Sequence, residues 1–156
     1  MSNDRTAMKN ITNKEVLNEV LGRIEKLTPE TKALWGKMTV SQMMAHCTTG
    51  FEVTLGSKVV KHSFLGKIFG KMAKKQAFSN KPFGKGLPTD PNYVVKDDKD
   101  FNEEKRKLVA VINRYVLARE DEFTKGPHPF FGKLTTTEWN ELNYKHIDHH
   151  LMQFGV

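Results

Sequence analysis

Residues 135–155 read TTTEWNELNYKHIDHHLMQFG. Thr135 and Glu138 stand at capping-box spacing, and Trp139, Leu142, Ile147, Leu151 and Phe154 then recur at helical steps. That pattern predicts an amphipathic helix running to Gly155. With Trp139 at zero and about 100° per residue, the apolar side chains fill an arc from about 300° round to about 140°. His146 falls near 340° and His150 near 20°, inside that arc, with His149 near 280° at its margin and Asp148 near 180° opposite, all to about one helical step. Two inward imidazoles four residues apart aim the same way, and a dry site cannot cheaply charge both. Either each is hydrogen-bonded inside a helical core, or the pair holds a divalent metal, for which neutral imidazole is the commonest nitrogen ligand.

Three further helical stretches precede this one. Thr12–Leu27 places Val16, Leu17, Val20, Leu21, Ile24 and Leu27 on one stripe, with Thr12 as its cap. Thr39 and Gln42 have capping-box spacing and open a helix with Val40, Met44, Cys47, Phe51 and Leu55 inward and Gly56 at its end. From about Asp100, Phe101, Leu108, Val111, Ile112 and Tyr115 form an inward face on a helix reaching toward Phe123. No strand pair or repeat is legible. The expectation is an all-α four-helix bundle, one domain over residues 1–156, with 1–11 flexible and a long basic connection, 57–98, between the second and third main helices.

The charge is concentrated in that connection. Eight lysines and no carboxylate lie between Val53 and Thr89, which leaves 17 of the 25 basic residues against 18 acidic ones elsewhere. Any anionic partner must therefore be read from this segment and not from the overall charge of +7. Leu65, Ile68, Phe69 and Met72 share a helical face there, with Lys67, Lys71, Lys74 and Lys75 largely off it. Phe64, Phe69, Phe78 and Phe83 interleave with the lysines. The expected role is a lid whose aromatics close the bundle mouth while lysines face solvent, in preference to a nucleic-acid or anionic-membrane surface. The single cysteine, Cys47, excludes an internal disulfide, and the polar opening residues carry no signal-peptide pattern, so a cytoplasmic location is expected. No apolar run is long enough to span a bilayer.

A third metal ligand would come from the second helix, whose only histidine is His46, beside Met43 and Gly50. Three histidines with an open position form a catalytic rather than a closed structural site. His149 and Gln153 lie on the flank of the pair, where Gln153 could orient a ligand imidazole or bound water, and His128, between two prolines, is either an ordinary loop histidine or a residue of the pocket rim. Cys47 reads as a small core residue and Met43–Met44 as core filling. His62 reads as exposed, and Glu52 and Glu141 are the carboxylates to inspect as general bases.

The blocks MTVSQMMAHC (38–47) and HPFFGKLTTTEWNELNYKHIDHHLMQFG (128–155) resemble the DinB-like metal-binding bundle superfamily, in a branch of unknown function. That family's one histidine on the second helix and H-x-x-x-H on the last fall on His46, His146 and His150. The resemblance implies an up-down-down-up bundle, paired as a homodimer. It also implies zinc- or nickel-dependent chemistry with a low-molecular-weight thiol, as in thiol S-transferases and a maleylpyruvate isomerase. The expected function is thus a metal-dependent transferase or hydrolase acting on a small molecule. The alternatives are a non-catalytic stress or structural bundle, or a binding module using the lysine segment. Three imidazoles also suit copper or iron.

Overall fold

The structure is a computed structural model that describes residues 8–156. Among these residues there are five α-helices and no strand: α1 Lys14–Glu25, α2 Val40–Thr54, α3 Phe64–Ala77, α4 Phe101–Leu117 and α5 Thr136–Gln153. Of the segment 1–11 read as flexible, residues 1–7 lie outside the described residues, and Ile11 is fully buried. No helix among the described residues is long and apolar enough to cross a membrane.

The helix starts follow from side-chain oxygens that accept otherwise orphaned backbone N–H groups. Thr39 with Gln42 and Thr135 with Glu138 both close reciprocal capping boxes at the heads of α2 and α5. For α1 the cap is Asn13, one residue beyond the expected Thr12. Its side chain accepts from the N–H groups of Glu15 and Val16, while Thr12 bonds Asn10 instead. Helix α4 starts on the Asp100 cap but stops at Leu117, with a short 3-10 turn at Glu120–Glu122 where helix was expected to continue.

Helix α2 is the centre of the packing, against α4 on one side and α5 on the other, and α1 packs on α5. Val20 and Ile24 of α1, Met43, Met44, Cys47 and Phe51 of α2, Leu108, Ile112 and Tyr115 of α4, and Ile147 and Leu151 of α5 are within 1% of complete burial. The Tyr115 ring meets Phe51 edge-on, and its hydroxyl donates to Asn140 Oδ1 at 2.6 Å, so the one polar atom of that ring is satisfied. Arg23 ties α1 to the end of α5 by donating to Asp148 Oδ1 at 2.6 Å and to the Val156 carbonyl at 2.9 Å.

Helix α3 departs from the lid expectation at Phe64 and Phe69, which are exposed. Its Leu65–Ile68–Phe69–Met72 face does not close the bundle mouth but points to solvent. The face turned to the protein is the small one, with Gly70 and Ala77 buried and Gly66 and Ala73 half-buried. The physical reason is close approach: a Cβ at Gly66 or Gly70 would lie 2.8 or 2.7 Å from the Phe130 carbonyl oxygen. Of the four interleaved phenylalanines, Phe78 and Phe83 turn toward the protein, against Phe131 and His149.

Candidate metal centre

His46, in the middle of α2, and His146 and His150, one turn apart on α5, meet where the two helices pack together. Their ligand-capable nitrogens lie within 4.8 Å of one another, close enough for one metal ion. The three rings stand edge-on with centroids 4.7–4.8 Å apart in every pair. Gly50 makes room for His146: a Cβ there would sit 3.2 Å from His146 Nδ1.

Hydrogen bonding decides which nitrogen each ring offers. His46 Nδ1 lies 2.9 Å from the Tyr93 carbonyl oxygen, which only accepts, so Nδ1 carries the proton and Nε2 keeps its lone pair. Gln153 Nε2 donates to the Trp35 carbonyl at 2.8 Å, which turns Gln153 Oε1 toward His150. His150 Nδ1 therefore donates to that oxygen at 2.8 Å, and its Nε2 is likewise free. The His46 and His146 Nε2 atoms face each other at 2.9 Å. In the metal-free neutral pair one of them must hold a proton, and with His46 Nδ1 protonated that one is His146. A bound cation would take the place of that proton.

All three imidazoles resist protonation. Burial lowers the His46 pKa, lowers that of His150 to about 3, and holds His146 well below the ordinary range, with His150 and His46 beside it adding to the effect. Neutral rings are the form a cation binds, so protons compete little for these nitrogens near neutrality.

Aromatic rings surround the triad. Tyr93 meets His46 with centroids 6.3 Å apart, and His149 meets His150 at 5.2 Å. His149 is itself flanked by Trp35 and Phe83, each at 5.8 Å. Lys85 lies over the Trp35 ring and Lys145 over that of Phe83, and Lys145 also donates to the carbonyls of Ala77 and Ser79. Two surface clefts, one lined by Met8, Pro82 and Tyr144 and the other by Pro29, Met38 and Asp98, include none of the three histidines.

Other candidates fall outside this cluster. His149 is half-buried beside it but not in the group that could share an ion. His128 accepts the N–H groups of Phe130 and Phe131 on Nδ1 and packs against Phe131 and Trp139, so it organises the turn before α5. Cys47 is completely buried beside Met43, and burial pushes its thiol pKa up, away from reactivity. His62 is exposed, and neither Glu52 nor Glu141 joins the histidines. The Tyr93 and Trp35 carbonyls, on which two of the imidazoles depend, were not foreseen. A backbone acceptor in a connecting segment leaves no mark in residue type or spacing.

No curated protein and no solved structure matches the chain significantly. Residues 7–155 match the family model described as Protein of unknown function (DUF1569), and with nearly the whole chain covered the protein belongs to that family.

Proposed function

We propose that His46, His146 and His150 bind one divalent metal, zinc or nickel, and that this centre serves a DinB-like metal-dependent transferase or hydrolase. The observation that carries the reading is the pair of oxygen acceptors on Nδ1, the Tyr93 carbonyl for His46 and Gln153 Oε1 for His150, which leaves both Nε2 atoms free within a cluster of three nitrogens spanning at most 4.8 Å. The donor set fits such an ion: three neutral imidazoles supply ligands and leave a position for a small molecule. A metal held there would lower the pKa of a bound thiol or water and so supply a nucleophile at neutral pH. The chain's own residues orient the imidazoles through Tyr93 and Gln153, and the burial of His46 and His150 between the helices keeps bulk water from them. A low-molecular-weight thiol is the co-substrate this reading favours.

The test is elemental analysis of untagged protein grown with zinc and nickel supplied, beside His46→Ala, His146→Ala and His150→Ala. The expected result is about one metal per chain in the wild type and loss in each variant. Thiol-transfer and hydrolysis assays on the loaded protein then separate the two reactions. A folded wild type that retains no metal would overturn the reading in favour of a non-catalytic bundle.

A further inference from the structure

We propose that α3 is an interfacial helix that docks this protein onto an anionic lipid surface. Phe64, Leu65, Ile68, Phe69 and Met72 are 73%, 49%, 57%, 47% and 68% exposed. At about 100° per residue they fall within one arc of roughly 140°, which Lys75 and Gln76 also enter at the last turn of the helix. On the opposite side of the same helix, Gly66 and Gly70 are seated on the backbone at Phe130, and Ala73 and Ala77 continue that inward stripe. The helix is thus attached by its smallest residues and presents its largest apolar ones outward. A helix that had only to fold would turn the other way, since burying large apolar side chains is the dominant gain. A contiguous outward apolar face marks an interaction surface.

Charge selects the partner. Lys67, Lys71 and Lys75 are exposed on α3, and the segment from Val53 to Thr89 contains no aspartate or glutamate to offset them. Lys74 differs, being held by Glu138 and the Lys133 carbonyl. An anionic bilayer offers hydrocarbon to the apolar arc and phosphate to the lysines at the same depth. A second copy docked by symmetry would set two carboxylate-free lysine rows against each other. A nucleic acid would engage the lysines but leave Leu65, Ile68 and Met72 in water. The helix is too short and too charged to span, so it lies in the plane of the surface. It contributes no residue to the histidine cluster, and the proposal stands apart from the metal reading.

The experiment is co-sedimentation of the full chain with vesicles of phosphatidylcholine alone and with phosphatidylglycerol added, at low and physiological salt. Binding is expected only to the anionic vesicles, weakening as salt rises. Ile68→Ser with Phe69→Ser should weaken it by at least about tenfold. Lys67→Gln with Lys71→Gln and Lys75→Gln should weaken it by about a hundredfold. Both variants should keep the wild-type circular dichroism, and Met72→Ser tests the same face if the double variant does not fold. Wild type left in the supernatant with anionic vesicles at low salt would overturn the proposal. So would vesicle binding that the apolar variants leave unchanged. Sedimentation equilibrium showing that Ile68→Ser with Phe69→Ser converts a dimer to a monomer would assign the face to self-association instead. Duplex DNA binding without vesicle binding would assign it to nucleic acid.

Discussion

Gln153 does one job on each side of its amide. Its Nε2 is anchored on the Trp35 carbonyl and its Oε1 holds the proton of His150 Nδ1. Removing that anchor frees the imidazole to rotate and to exchange tautomers, which misdirects the lone pair without deleting a ligand. Gln153→Ala is therefore expected to keep the fold but to weaken metal binding by about 10–100-fold, read by competition with a chromophoric chelator. An unchanged affinity would mean that packing alone orients His150. His146 and His150 were legible in residue type and spacing, because they repeat at one helical turn on an otherwise apolar arc, whereas His46 was singled out as the only histidine of its helix and by resemblance. Their hydrogen-bond partners were not legible, because Tyr93 and Trp35 contribute only carbonyls.

At the scale of elements, the contrast between α1 and α3 separates intrinsic helix propensity from docking. Gly22, exposed on α1, has nothing within 4 Å of an added Cβ, whereas at Gly70 that atom would lie 2.7 Å from the Phe130 carbonyl oxygen. Alanine favours a helix over glycine by about 1 kcal/mol at either position. Gly22→Ala should therefore raise stability by about that amount in urea denaturation. Gly70→Ala should instead lift α3 off its seat, because a backbone oxygen cannot rotate away as a side chain can. Its checks are faster proteolysis between residues 78 and 90 and faster amide exchange across 64–77. Equal stabilisation by both substitutions would show that α3 is not held at Phe130. Capping boxes at Thr39 and Thr135 were readable because both partners lie within four residues of one another. The direction in which α3 faces was not, because it depends on the backbone of a connector more than fifty residues away.

The whole molecule stores a pH dependence in its buried imidazoles. Burial, the largest cause in each case, lowers the pKa of His150 to about 3 and of His128 to about 4, and also lowers those of His46, His146 and His149. In the unfolded chain each would take up its proton near the ordinary value of 6.5. Above that pH both states are neutral at these sites and stability is intact. As pH falls from 6.5 toward 4 and then 3, the unfolded chain binds protons that the folded one refuses, so stability declines. For metal-free protein the loss should reach roughly 2 kcal/mol or more by about pH 5, followed as the urea midpoint. Saturating metal should defer the decline, since it binds the folded, neutral imidazoles. A midpoint that holds steady between pH 6.5 and 5 would mean these rings find protons without unfolding.

The amino-acid sequence by itself determined the helical class, four of the five helices, two of the capping boxes and the shared inward face of His146 and His150. Those features rest on spacing along one chain, where a period of about 3.6 residues assigns each side chain to a face before any tertiary contact forms. Only the tertiary structure decided which carbonyls hold the imidazole protons, which histidine Gly50 makes room for, and which side of α3 meets solvent. Each of these is settled by a neighbour distant in sequence. A carbonyl looks the same on every residue, and an amphipathic pattern says that a helix has two faces, not which one the rest of the molecule will cover.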